Sequence, residues 1–367
     1  MKNFSIIGNT NVVQEVVERI RKGKVMVLYF IGSTKTSTIP GLSIAGATPE
    51  LTLYTPACDV EYVVYGKPKS FDVIPVTPEG IPTPAIITRS SLKLCKVPCA
   101  IVDAGSAIEP KVPHIALPSR RVGETINTGS ALPYEVARAL YTESQVLARM
   151  LRGVDVYLIG ESIPGGTTTT LGILVALGYD AWGKVSSASP LNPHELKERV
   201  VKEGLERSRL SMDEAERDPM KAVAALGDPV HVSMAGFLKG ALEEGASVIL
   251  AGGTQMASVV ALAKHAGVKL QRTIIATTRW IVSDQSSNIA ALFKAIDPSI
   301  PIVSINLDFS DAPYEGLRYY EKGYVKEGVG AGGTAFLAHV LTGKNVDELK
   351  EVIYEEYGAL IKSKTIK

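Results

Sequence analysis

From about residue 133 onward, short apolar runs rich in β-branched residues alternate with longer amphipathic stretches. The runs are Val154 to Ile159, Ala246 to Ala251, Thr273 to Thr277 and Ile302 to Asn306, each of a length that suits a buried strand. Between them the spacing predicts helices over Pro133 to Met150, from the threonines at 167 to 170 to about Leu177, from Asn192 to about Arg207, and over Val232 to Glu244, Gln255 to His265, Asp284 to Ala295 and Tyr314 to Lys322. Arg207 to Lys221 reads as a solvated helical surface. Helices over Gly333 to Leu341 and Val346 to about Ile361 close the chain. Residues 3 to 110 read differently, as short strands cut by Gly and Pro: Lys24 to Ile31, a pair within Glu50 to Val64, and Cys99 to Ala104. Pro68, Pro75, Pro78, Pro82 and Pro84 exclude regular structure from Lys67 to Thr88. The strand and helix alternation predicts an α/β fold, a doubly wound, mostly parallel sheet flanked by helices, with sites at the carboxyl ends of the strands. A smaller part is expected from the N- and C-terminal segments, with boundaries at 1–132, 133–342 and 343–367.

Composition narrows the function classes. The 39 basic and 38 acidic residues leave a net charge of +1, with no basic run, which argues against a nucleic-acid partner. The uncharged stretch Ser162 to Tyr179 holds too much Gly, Thr and Pro to span a membrane, and no leader is apparent, so a soluble cytoplasmic protein is expected. Cys58, Cys95 and Cys99 are expected as buried thiols, and His114, His194, His231, His265 and His339 lack metal-ligand spacing and read as structural.

The chemistry concentrates at Asp155 to Gly183. The strand there stops at Gly160, Glu161 follows, and Ser162 to Gly166 makes a turn into a helix opened by threonines. A strand, a glycine-rich loop and a helix N-terminus together suit a phosphate, although the same sequence also suits an empty turn. Gly-Gly-Thr occurs at 165 to 167, 252 to 254 and 332 to 334, each time before an expected helix, which suits a ligand with phosphate and sugar or, equally simply, tight packing. Gly328, Gly330 and Gly333 match a dinucleotide fingerprint, but no buried strand precedes them. No lysine follows Gly166 as a P-loop requires. Glu161 and Glu327 stand where a carboxylate is awkward. Each could be a general base or could cap a loop by accepting backbone N–H groups; the cap is the simpler account of Glu161, and Glu327 is open.

Gly160-Glu161-Ser-Ile-Pro-Gly-Gly-Thr-Thr-Thr together with Lys326-Glu327-Gly-Val-Gly-Ala-Gly-Gly resembles the nicotinate-nucleotide:5,6-dimethylbenzimidazole phosphoribosyltransferase family, and looks most like its archaeal branch of related proteins. The likeness covers roughly residues 150 to 342. It departs at Lys326, where the family carries Gly, and in the N-terminal third, where the early Asp-His-Gly of bacterial members is absent. The resemblance implies transfer of a 5-phosphoribosyl group from nicotinate mononucleotide to a benzimidazole, giving α-ribazole 5′-phosphate for the lower ligand of cobamides. It implies Glu327 as base and Glu161 as a supporting carboxylate. Phosphate and ribose contacts are expected at Gly165, Gly166, Thr167, Thr168, Ser187, Ser189, Arg199, Gly252, Gly253, Thr254, Gly328 and Gly330. From position in the chain, the acceptor base is expected against Ser43, Ala45, Gly46 and Thr48. Neither metal nor cofactor is expected, and the assembly is expected to be a homodimer. A nucleotide-binding protein without turnover and a transferase for another base are the alternatives.

Overall fold

The computed structural model describes residues 3–71, 75–77 and 79–365, with side chains through Lys362. Pro78 of the proline-rich stretch lies outside them. Eight strands, β1 (Phe4–Ile7), β2 (Val25–Gly32), β3 (Cys99–Gly105), β4 (Ile115–Ala116), β5 (Val156–Ser162), β6 (Ser247–Ala251), β7 (Thr273–Thr278) and β8 (Ile302–Ile305), form one sheet in the order β1-β8-β7-β6-β5-β2-β3-β4. Every pairing is parallel except β1 with β8. From β2 the chain winds to one edge through β3 and β4, and from β5 it winds to the other through β6, β7 and β8. The winding reverses between β2 and β5, where the connections leave a crevice at the carboxyl ends. Strands from residues 1–132 are therefore woven into the same sheet as those from 133–342.

Side chains alternate across the sheet because a strand repeats every two residues. On one face Leu28, Phe30, Tyr157 and Ile159 pack beneath helices Tyr134–Met150, Gly166–Ala176, Pro229–Glu243 and Met256–His265. On the other, Val27, Tyr29, Ile31, Val156 and Leu158 meet helices Thr10–Lys22, Thr55–Tyr65, Ala85–Cys95, Ala331–Thr342 and Val346–Thr365. Val27 through Ile31 are fully buried, and each large apolar side chain so placed stabilises the fold by about 1.5–3 kcal/mol.

Several expected elements differ. Glu50 to Val64 contains no strand pair but a short turn of helix, Glu50–Leu53, and then helix Thr55–Tyr65. That helix is buried on most sides, at Ala57, Asp59, Val60, Glu61, Tyr62 and Val63, so its apolar positions show no clean helical stripe. β5 does not stop at Gly160 but continues through Glu161 to Ser162. Gly160 is needed within the strand because an added Cβ would lie 3.0 Å from the Cα of Gly330. The charged stretch after Arg207 holds helices Met212–Arg217 and Pro219–Leu226, the second mostly buried. The expected helix from Asp284 begins only at Ile289, since Asp284 accepts from the Ser286 amide and Asn288 supplies the cap. The third Gly-Gly-Thr lies inside the helix Ala331–Thr342, and a Cβ on Gly332 would sit 2.1 Å from the backbone carbon of Thr277. Its glycines bring helix against sheet. The cysteines are not fully buried: Cys58 and Cys95 are half-buried and Cys99 is exposed. The five histidines hydrogen-bond inside the fold, and His231 pairs with Asp228 at 2.7 Å. Among the described residues no helix is long and apolar enough to cross a membrane.

Candidate functional site

The site is built where β5, β6 and β7 end and where residues 325–329 cross them. Val325 and Val329 hold left-handed backbones, with φ of 50° and 52°, a conformation that costs a β-branched residue roughly 1–3 kcal/mol. Surrounding bonds impose it. The Val325 amide donates to Ala188 O at 2.8 Å, the Val329 amide to Glu161 O at 2.9 Å, and the hydroxyls of Thr278 and Thr88 donate to the carbonyls of Lys326 and Val329 at 2.6 and 2.8 Å. Between the two valines the consecutive side chains of Lys326 and Glu327 enter different clusters.

Glu327 faces the ends of β6 and β7. Its carboxylate accepts from the amides of Thr278 at 3.0 Å, Gly328 at 3.2 Å and Gly332 at 3.2 Å, and from the Thr277 hydroxyl at 3.3 Å. A Cβ on Gly253 would lie 3.8 Å from the Glu327 Cβ. Although part of the residue stays open, burial of the carboxyl group pushes its pKa up to about 7, against the pull of those four donors. Glu161, at the end of β5, is 2 % exposed. One of its oxygens accepts from the Ile163 amide at 3.0 Å, and Oε1 is buried with no protein partner. Burial raises its pKa well above the usual carboxylate range, and the charges of Glu327, Asp228 and Asp59 raise it further. The two glutamates, 166 positions apart in the chain, are thus within electrostatic reach of each other at one end of the sheet.

The phosphate candidates lie beside them. Gly165 takes φ of 82° as the residue before helix Gly166–Ala176, and a Cβ there would meet the Ser37 amide nitrogen at 3.0 Å. The turn after β2 and the turn after β5 therefore touch at the winding reversal. Thr168 is buried with an unpartnered hydroxyl, while Thr167 remains half-buried at the helix start. At the end of β6, Thr254 accepts from the Ser186 amide at 2.9 Å, which draws the loop carrying Ser187 and Ser189 over the same edge. Ser187 Oγ is used within that loop, accepting from the Ser189 amide at 3.1 Å. Gly252 packs against Met256, Gly330 against Ala251 and Tyr29, and Gly328 against Pro84.

Not every expected residue joins this group. Arg199 is exposed on helix His194–Ser208, in a surface groove shared with Glu195, Glu198, Lys202 and Glu203. The side of that helix turned to the site carries Lys197, fully buried, whose ammonium donates to Ser186 O at 2.5 Å and Asn192 Oδ1 at 2.9 Å. Burial lowers its pKa to about 7, and the neighbouring Lys326 charge lowers it further, while Asp284 opposes. Lys326 is buried as well, paired with Asp284 at 3.1 Å and donating to Ser189 O at 3.3 Å. Spacing could have found Lys197, because it lies three, four and seven positions before Val200, Val201 and Gly204, on the apolar stripe that Arg199 misses. The loop with Ser43, Ala45, Gly46 and Thr48 is folded on itself. Ser43 Oγ accepts from the Ala45 amide at 3.2 Å, Ala45 O accepts from Thr55, Gly46 packs on the backbone of Leu51 and Thr52, and exposed Thr48 donates to Glu50 at 2.9 Å. Its link to the site runs through Ser37, whose hydroxyl meets that of Thr52 at 2.7 Å.

A third carboxylate has no mark in the sequence. Asp59, in helix Thr55–Tyr65, is 6 % exposed and accepts from Ser162 Oγ and Thr83 Oγ1, each at 2.8 Å. Burial pushes it up to about 6. Nothing near it in the chain signals its place, since both hydroxyls come from distant segments.

A family model described as phosphoribosyltransferase matches residues 93–290. The UPF0284 protein of Aeropyrum pernix is 47% identical over 360 residues, covering 98% of each chain. Its counterparts are 49% identical in Pyrobaculum aerophilum, over 89% of this chain and 93% of theirs, and 45% in Pyrococcus furiosus, over 92% and 99%. Two crystal structures from Thermus thermophilus share the fold at 17% identity. One, nicotinate-nucleotide-dimethylbenzimidazole phosphoribosyltransferase, superposes with a TM-score of 0.57 over 89% of this chain and 85% of its own; the other, described as CobT, gives 0.59 over 90% and 89%. With the family model spanning more than half of the chain and these relatives matching nearly all of it, this chain belongs to the phosphoribosyltransferase family, together with the UPF0284 proteins.

Proposed function

We propose that the protein transfers the 5-phosphoribosyl group of nicotinate mononucleotide to 5,6-dimethylbenzimidazole or a related base, releasing nicotinate and forming α-ribazole 5′-phosphate. The observation that carries this reading is the meeting of Glu161 and Glu327, two carboxyl groups that burial makes basic, beside the glycine turn at Gly165. One ring nitrogen of the acceptor attacks C1′ from the face opposite the pyridinium. As that bond forms, the C1′–N bond of the donor breaks and its electron pair stays on nicotinate, whose ring leaves uncharged. The proton on the other acceptor nitrogen passes to Glu327, which at a pKa of about 7 is matched to the task near neutrality. Attack from the opposite face gives the α configuration.

In this reading the donor phosphate lies at Gly165, Gly166, Thr167 and Thr168, under the loop of Ser187 and Ser189. Lys197 and Lys326 supply positive charge behind that loop, where Asp284 opposes them. Gly252, Gly253 and Thr254 flank the ribose, and Gly328 and Gly330 let the crossing loop approach. Incubation with nicotinate mononucleotide and dimethylbenzimidazole should release nicotinate; absence of release with every benzimidazole, purine and phenolic base tried would remove the proposal. One observation favours a second reading, a nucleotide-binding protein without turnover: both oxygens of Glu327 already accept hydrogen bonds, as a loop cap would. That reading requires tight binding of the mononucleotide and no product from any base.

A further inference from the structure

Residues 323–326 run alongside the loop that carries Ser187 and Ser189. A Cβ on Gly323 would lie 3.6 Å from the Pro190 Cβ, the Val325 amide donates to Ala188 O at 2.8 Å, and the Lys326 ammonium donates to Ser189 O at 3.3 Å. The same ammonium pairs with Asp284 at 3.1 Å, and Asp284 accepts from the Ser186 hydroxyl at 2.7 Å, so Lys326 grips the loop at both ends of its serine run. Through its backbone Lys326 belongs to the other side. Its carbonyl accepts from the Thr278 hydroxyl at 2.6 Å, and the next residue is Glu327, which accepts from the Thr278 amide at 3.0 Å. One residue therefore joins the loop 184–193 to the carboxylate at the ends of β6 and β7. Lys197 touches the same loop, at Ser186 O and Asn192 Oδ1, but it lies on helix His194–Ser208 and shares no backbone with Glu327.

Two features give this join a consequence for the reaction. The left-handed backbones of Val325 and Val329 are strained, and strain of that kind persists only while surrounding contacts over-determine it. Ser187 and Ser189 each accept from an amide of their own loop, that of Ser189 at 3.1 Å and that of Leu191 at 3.2 Å, which leaves each hydroxyl its hydrogen to donate to an anion. We propose that Lys326 is a positioning residue that couples the donor's phosphate to the general base. Phosphate held by Ser187 and Ser189 fixes the loop 184–193, the fixed loop holds Lys326, and Lys326 holds the strained segment 325–329 with Glu327 facing the acceptor. The inference rests on the transferase reading and adds to it. Binding energy at the phosphate, remote from C1′, then appears in kcat as well as in KM.

The test uses Lys326→Met, which keeps the apolar stem and removes the ammonium. Asp284 then still accepts from Ser186, Ser286 and Ser287. The double variant Lys326→Met with Asp284→Asn removes the pair as a unit and covers the case in which the single variant does not fold. With saturating nicotinate mononucleotide and a base that supports turnover, kcat should fall by roughly 10–100-fold, as for a misplaced catalytic group, whereas Lys197→Met should act on KM. Hydrogen exchange supplies a readout that a merely structural role would not move. Saturating mononucleotide should slow exchange of the Thr278, Gly328 and Gly332 amides, the donors to Glu327, by at least about tenfold in the wild type and by less than about twofold in the variant. A rise in KM with kcat unchanged, or an equal response of these amides in wild type and variant, including none in either, would overturn the coupling and leave the transferase intact. Failure of the wild type to release nicotinate from the mononucleotide with any base tried would overturn both.

Discussion

Two buried clusters of opposite sign lie on either side of residues 325–329, and they are held in different ways. The acidic one, Glu161 and Glu327, is met by amides and a hydroxyl, with no cation among the described residues. In the basic one, Lys197 and Lys326 are met by carbonyls, an amide oxygen and a single carboxylate. A buried charge without a counter-ion moves its pKa towards the neutral form, so the carboxylates rise and Lys197 falls, and Glu327 and Lys197 both arrive at about 7. A mononucleotide has the complementary polarity, anionic at the phosphate and, as a pyridinium, cationic at the ring. A bound ligand could offset at each end what the empty fold leaves unbalanced.

The largest expected effect comes from the acidic side. Glu327→Gln should lower kcat/KM for phosphoribosyl transfer by about 10²–10⁴-fold, the usual range for loss of a general base. In the wild type kcat/KM should rise with pH through about 7 as Glu327 ionises, and the variant should lose that limb. Steady-state nicotinate release from mildly acidic to mildly alkaline pH measures both; an acidic limb that survives the substitution would assign it to another group.

Lys197→Met tests the basic side and should act on KM. Losing a buried charge-assisted contact should raise the KM for nicotinate mononucleotide by roughly 10–100-fold, with kcat little changed. Stability supplies an independent readout. Glu327 and Asp59 hold protons more tightly folded than unfolded, so their contribution is full below pH 3.8–4.5 and is lost as pH rises through about 6 and 7. Lys197 holds its proton less tightly folded, so its contribution is present above 10.5 and is lost as pH falls through about 7. Together these groups predict a minimum in stability where the two windows meet, near pH 7. Denaturant midpoints across pH should show it, and Lys197→Met should flatten the alkaline side alone.

What the sequence can say follows the same division. The carboxylates are legible because each sits in a local pattern, Gly160-Glu161 before a glycine turn and Glu327 before Gly328-Val329-Gly330. The parallel sheet is legible because β5 to β8 are short buried runs. Helix Thr55–Tyr65 is not, since burial on most sides removes the stripe that marks a helix, and Asp59 is hidden with it. Lys197 and Arg199 look alike as charges and are told apart only by helical phase, which places the lysine inward. The third Gly-Gly-Thr looks like a ligand turn, yet its backbone is packed against β7.

That last contrast yields a smaller prediction. Gly332→Ala forces a Cβ to within 2.1 Å of Thr277 backbone, which cannot move aside, whereas Gly166→Ala meets only side chains, the end of Gln255 at 2.3 Å, which can, and the Ile163 Cγ2 methyl at 2.9 Å, which must shift slightly. The first should cost about 1–3 kcal/mol of stability and disturb Glu327, whose carboxylate takes the Gly332 amide. Gly166→Ala should lower the denaturant midpoint by clearly less and raise the KM for the mononucleotide. Equal loss of stability in the two variants would mean that both glycines serve packing alone.

Arg199 gives the smallest effect and the cleanest separation of the two accounts of the phosphate. On helix His194–Ser208 it is two residues from Lys197, which turns it well round the axis and into solvent among Glu195, Glu198 and Glu203. An exposed cation with acidic neighbours contributes little, so Arg199→Ala should change the KM for nicotinate mononucleotide by less than about twofold. If it instead raises KM as much as Lys197→Met, the phosphate approaches from the outer face of this helix, and the buried lysines are a structural pair held by Asp284.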